Sequence, residues 1–283
     1  MQNWIIDSII IAIPSGMLAL SYYPITGLTR TVPLCNAAWA AVAAYGAVLL
    51  AKLGVVPPFA IAISLVASMG AALLTYLVAF RAKGFVQVMV TAASGSLIIG
   101  SISVMDKVTG GEQGLLVSPG LLKLERFGTL AVFITLLTLS SLAIVACSHT
   151  VLAARLVALR RLEVLISLAG FSTRYLRAIS FGASGLLAGI SGVLVALSSP
   201  ALTPMLFNLQ ISISVLAVFI LSGGLSFPPR IIRLASIQIL VSFILQILQR
   251  SIALSPSVIF SIYYALLAGL LFVSLYRRER ESA

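Results

Sequence analysis

The chain has 283 residues, 60% of them hydrophobic and only 9% charged, with a formal charge of +11. Soluble domains are usually about 45–50% apolar and about 25% charged, so this composition excludes a domain wetted on all sides. It also leaves no room for a separate soluble catalytic domain. The excess of cations would point to nucleic acid in a soluble protein, but here the basic residues sit at the ends of apolar runs, where membrane topology accounts for them.

A helix needs about 20 apolar residues to cross a hydrocarbon core of roughly 30 Å. The apolar runs predict an all-α, polytopic transmembrane bundle of about nine spans, with a range of eight to ten. Barrel strands are not expected, because the runs are twice their length and show no dyad alternation. The start, "MQNWIIDSII", lacks a basic leader and cleavage site and reads as the beginning of a first span near 4–23, with Asp7 toward its end. Pro24 and Pro33 then bracket "ITGLTRTV". This segment fits a cytoplasmic loop or the unwound middle of a broken helix. Arg30 favours the loop, since a buried arginine costs at least about 2.5 kcal/mol.

Spans near 33–52, 56–80 and 84–105 follow, separated by Pro57, Pro58 and Gly84. Polar residues inside the spans are few: Asn36, Gln87, Thr91, Ser94, Gln210, Gln238 and Gln246. A neutral amide in lipid needs a partner, so each either ties two helices together or lines a solute path. Asn36, Gln87, Thr91 and Ser94 are the path candidates. No span carries a carboxylate at its centre, which argues against a proton-coupled carrier. "TGGEQGLL" at 109–116 places Gly110, Gly111 and Gly114 in the long outside loop, where they read as a flexible turn. No GxxxxGK[ST] occurs, so if ATP drives transport, another subunit must bind it.

A span near 127–148 leads to "ARLVALRRLEVLISLAGFSTRYLR" (154–177), the densest charge in the chain. Within it, a short amphipathic helix is expected over about 156–170. Arg160, Arg161 and Glu163 lie on one side of it, and Gly170 is its stop. It fits a loop lying on headgroups or a docking helix seated in a groove of a soluble partner. Spans near 177–199, 206–225, 231–250 and 256–276 complete the chain. The first of these carries Gly185, Ala188, Gly189 and Gly192 at helical spacing, a face suited to internal packing or a subunit interface. Cys35 and Cys147 read as small buried hydrophobes, and no Cys/His cluster is spaced for a metal. No catalytic constellation accompanies His149.

Alternation of the nine spans puts thirteen basic residues on the side of 149–176 and five on the other. That bias predicts an outside amino terminus and a cytoplasmic carboxyl terminus.

"ALSYYPITGLTRTVPLCNAAWAAVAAYGAVLL" (19–50), "VTGGEQGLL", "ALRRLEVLISLAGFSTRYLRAISFGASGLLAGISG" and "ILSGGLS" (220–226) occur in that order. Together they resemble the permeases of branched-chain amino-acid ABC importers, over nearly the whole chain. Departures are Asn36 where the family often has histidine, and Arg161 and Ser167 where its coupling segment carries glutamates. Pro228 and Pro229 also follow the late Gly-Gly turn. These touch the solute more than the fold. The resemblance implies one permease domain over 1–283, in a bacterial or archaeal cytoplasmic membrane, forming half of a pathway with a second permease chain. It further implies two cytoplasmic ATPases, which hold ATP and Mg, and an external solute-binding protein. The solute would be a branched-chain amino acid, urea or a small carboxylate. The 156–170 segment would couple to the ATPases through Arg160, Arg161, Glu163 and Gly170. An ATP-independent carrier or channel, and a scaffold without transport, are the rival classes.

Overall fold

The structure, a computed structural model, describes residues 3–82, 84–117, 126–161, 170, 172–222 and 231–251. Ten α-helices follow one another among them: α1 (Asn3–Tyr22), α2 (Asn36–Lys52), α3 (Pro57–Ala79), α4 (Phe85–Val104), a single turn α5 (Asp106–Thr109), α6 (Arg126–Ser148), α7 (Val151–Arg161), α8 (Thr173–Ser198), α9 (Leu209–Leu221) and α10 (Ile231–Ser251). Eight of these fall where eight of the nine spans are expected. The span expected at 256–276 lies outside the described residues. By length and apolarity, six helical segments can cross a membrane, while α2 and the apolar part of α10 are shorter. The chain is a multi-pass membrane protein.

Among the described residues, Pro33, Pro57 and Gly84 stand at joins between helices, while Pro24 does not end its helix. Pro24 lacks an N–H and crowds the preceding turn. The chain answers with a π-helical turn over Tyr23–Gly27 rather than by ending the helix. Helix continues through Thr29, and only residues 30–35 are irregular. Arg30 is exposed and holds φ 57°, while Thr31, Pro33 and Cys35 are buried. The expected loop is thus a helix extended past its proline and then an unwound, protein-covered link into α2, the condition under which membranes tolerate irregular backbone.

The helices divide into an inner and an outer set. Of the membrane-crossing windows, 67% of Ile5–Gly27 and 61% of Thr173–Ser198 is buried, against 17% for α4 and for α6. α2, α3 and α8 pack on one another, and α1 lies against α8, α10 and α6. Hydroxyls and small residues make the close fit. The Trp39 and Phe181 ring centroids stand 6.0 Å apart, and Trp39 Nε1 donates to Thr75 Oγ1 at 3.1 Å. Ser68 Oγ lies 2.9 Å from Trp39 O and 2.8 Å from Gly185 O, so one hydroxyl serves three helices. A Cβ at Gly192 would stand 1.9 Å from Ala40 O. The small face of α8 is therefore spent on internal packing, where backbones can approach closely.

Two connections meet at one end of the bundle. A pair of two-residue strands, β1 (Leu115–Leu116) and β2 (Ala201–Leu202), joins them antiparallel, with Leu115 opposite Leu202. Tyr45 Oη donates to Leu202 O at 3.0 Å from the late part of α2. At the other end, Tyr76 Oη of α3 donates to Arg174 O at the start of α8. The strand pair itself was not expected.

Candidate functional site

The unwound link delivers Asn36 to the first turn of α2, where it is fully buried. Its Nδ2 donates to Ser21 Oγ of α1 at 2.8 Å and to Ser184 Oγ of α8 at 3.2 Å. Ser184 Oγ donates in turn to Ser21 O at 2.5 Å. Beside this knot, Tyr22 Oη donates to Ser212 O, and Ala37 N–H donates to Ser212 Oγ, drawing in α9. Four helices thus meet in one neutral polar spot. Asn36 Oδ1 has no partner, and in the adjoining π turn neither do Tyr23 Oη and Thr26 Oγ1. Each buried, unsatisfied polar group costs about 1–3 kcal/mol, so three of them in and near a π turn call for a functional reason.

A second set of polar groups lies on α4. Gln87, Thr91 and Gly95 are buried at four-residue spacing, on one stripe of the helix. That stripe faces the link: Leu34 N–H donates to Thr91 Oγ1 at 3.3 Å, and a Cβ at Gly95 would stand 3.2 Å from Cys35 Cα. Gln87 Nε2 has no partner. Ser94 is half-buried and returns its hydroxyl to Val90 O of its own helix at 2.8 Å. The structure therefore sets Asn36 against α1 and α8, and Gln87 with Thr91 against the link that precedes it. Ser94 joins neither group. Among the other amides, Gln238 is buried with Oε1 unpartnered, while Gln210 is exposed. Sequence reasoning missed Ser21, Ser184 and Ser212, whose only signal is a hydroxyl in an apolar run.

The glycine loop is ordered by its tertiary contacts. Gly110, Gly111 and Gly114 all have positive φ, and a Cβ at Gly114 would stand 2.1 Å from Leu202 O. Thr109 Oγ1 lies within hydrogen-bond reach of both Ile102 O and Met105 O. The loop leads into β1, whose pairing with β2 pins it, with Glu112 and Gln113 exposed.

Of the expected 156–170 helix, the structure describes the part within α7. That helix begins at Val151, five residues earlier than expected, and includes Arg160 and Arg161 in its last turn. Glu163 lies outside the described residues, as does most of the late Gly-Gly turn at 220–226. Gly170 is exposed with φ 81°. Leu156 and Leu159 are buried as α7 packs on α6 and α8. An apolar cleft of about 300 Å³ separates α7 from the π turn, lined by Tyr23, Pro24, Leu28, Cys147, Leu156 and Leu187 among others. Cys147 is exposed there, against the expectation of a buried position, because α6 ends and the chain turns away at that point. Cys35 is buried as expected, and both thiols are free.

Comparison with curated proteins and with solved structures returned no match. The profile of one family, described as the branched-chain amino acid transport system permease component, matches residues 4–275. With nearly the whole length matched, and with buried polar groups gathered around an interrupted helix in a multi-pass bundle, the chain belongs to the permease components of branched-chain amino acid transport systems.

Proposed function

We propose that the chain forms half of the translocation pathway of an ATP-driven importer for a small polar or amino-acid-like solute. The observation that carries this reading is the buried Asn36 acceptor, left unpartnered beside a π turn and an unwound link. In an interior otherwise closed by apolar packing, the unused capacity of Asn36, Gln87, Tyr23 and Thr26 suits a neutral or zwitterionic solute passing between them. Thr91 holds the link that separates the two groups. Conformational change would act on the link, because its backbone is not locked into a helical ladder.

In this reading residues 1–283 form one permease domain. A second permease chain, copy or paralogue, supplies the other half. An external solute-binding protein approaches the end that carries Gly110, Gly111 and Gly114. Two cytoplasmic ATPases bind ATP and Mg, with the amino terminus outside and the carboxyl terminus in the cytoplasm. The 156–170 segment seats in an ATPase groove through Arg160, Arg161 and Glu163. The cleft beneath the π turn gives α7 room to shift when the ATPases close.

Charge reversal at Arg160 and Arg161 tests the coupling. Transport-linked ATPase activity of the purified complex is expected to fall at least about tenfold, the effect of losing roughly 1.4 kcal/mol of docking free energy, with assembly of the pore retained. Unchanged coupling in R160E/R161E rejects the docking role. Solute uptake by the chain alone in liposomes would instead establish an ATP-independent carrier.

A further inference from the structure

At the end of the bundle where α3 meets α8, two cations share one aromatic ring. Arg81 Cζ stands 5.3 Å from the Phe80 ring centroid and Arg174 Cζ stands 5.7 Å from it, so the two charges cannot be more than 11 Å apart. Both residues are exposed. The ring and the Tyr76 Oη to Arg174 O bond hold them in place. Like charges at about a Debye length repel measurably. The described acids do not relieve this: Asp106 and Glu112 belong to the opposite end with the glycine loop, and Asp7 lies in the early turns of α1, some 16 residues from the end of that helix that lines the cleft.

The surroundings say what kind of anion fits. Leu74, Leu77 and Val78 of α3 are 61–68% exposed, and their spacing of three and four carries the same helix face on to Arg81. An apolar stripe of this kind faces hydrocarbon, so the cation at its end stands at headgroup depth. On the neighbouring helix Tyr175, 67% exposed, follows Arg174, the position an interfacial aromatic takes. Guanidinium groups bind phosphate with paired N–H donors.

We propose that Arg81 and Arg174, held on the Phe80 ring, bind the phosphate of an anionic phospholipid headgroup, with an acyl chain along Leu74, Leu77 and Val78. The site does not rest on the coupling mechanism above.

The test uses the full chain, with the subunits that co-purify, in nanodiscs of phosphatidylcholine and phosphatidylglycerol. Lipid retained after extraction is identified by native mass spectrometry. Phosphatidylglycerol is expected in preference to phosphatidylcholine. Each guanidinium at an anionic surface contributes a roughly fivefold preference, so R81Q/R174Q loses roughly 30-fold and either single variant roughly fivefold. R81K/R174K keeps both charges but loses the paired donors and the stacking on Phe80, so it retains more lipid than R81Q/R174Q and less than the native protein. Equal retention of both lipids by the native protein overturns the proposal, and that measurement needs no variant to fold. So does unchanged phosphatidylglycerol retention in R81Q/R174Q. Loss of a soluble subunit from that variant, with its lipid kept, would assign the pair to protein docking and likewise overturn it.

Discussion

The polar groups around Asn36 and those along α4 look alike in the sequence and differ in the fold. Asn36 bonds across helices, to Ser21 of α1 and Ser184 of α8, and sits where four helices converge. On α4, Thr91 and Ser94 return their hydroxyls to carbonyls of their own helix, Val88 and Val90, and only 17% of the span is buried. Only Thr91 also reaches out, by accepting from Leu34 N–H. A polar side chain within a span is thus three different things: a brace, an unspent group, or a hydroxyl already satisfied by its own backbone. The difference lies in whether its bonds cross to another element.

The largest effect is expected at Asn36. Leucine in its place removes two interhelical hydrogen bonds, each worth about 0.6 kcal/mol in a membrane interior, and leaves Ser21 and Ser184 facing an apolar group. The fold should lose about 1–2 kcal/mol, read as a fall in melting temperature, and uptake should drop at least roughly tenfold, equivalent to about 1.4 kcal/mol of lost solute stabilisation. Lost stability with uptake unchanged would make Asn36 a brace and nothing more.

Gln87 should behave with the opposite sign in stability. Its Nε2 is buried without a partner, so Gln87→Leu removes an unsatisfied group and should stabilise the fold by up to about 1 kcal/mol. If that amide serves the solute, uptake falls about fivefold in the same variant, the weight of one hydrogen bond. Stability rising while transport falls is the signature of a group kept for function. A fall in both would place Gln87 with Asn36, as a group that braces the fold as well as serving the solute.

The spans were legible because a membrane helix declares itself by apolar length, and Pro57, Gly84 and Pro200 mark joins in the fold as in the sequence. Pro24 marked a break too, but a proline does not say whether the chain unwinds or widens into a π turn. That depends on the packing that buries Tyr23–Gly27. The TGG loop was visible as glycines, while its order comes from contact with Leu202, about 90 residues along the chain. α7 begins before the first arginine because a short turn through His149 and Thr150, held by bonds to Ala146 O and Cys147 O, resets the helix at Val151. Asn36 was singled out as a rare amide. Ser21 and Ser184 were not, because a serine in an apolar helix can always bond its own carbonyls, and only the relative rotation of α1, α2 and α8 makes these two face Asn36.

Ser94 gives the smallest expected effect and the sharpest check on that reasoning. It lies three residues past Thr91, at the margin of the stripe that faces the link, and the sequence ranks it with Gln87 and Thr91. In the fold its hydroxyl is already engaged by Val90 O, as that of Ser101 is by Leu97 O on the exposed face of the same helix. A hydroxyl satisfied within its own helix gives up little when removed, since the helix ladder beneath it is complete without it. Ser94→Ala should therefore leave melting within about 0.5 kcal/mol and uptake within about twofold, because no bond to another element or to solute is lost. A loss at Ser94 comparable to that at Gln87 would mean that its hydroxyl turns from Val90 to the solute during transport. The division between braced, unspent and self-satisfied groups would then hold for one conformation of the permease and not for the cycle.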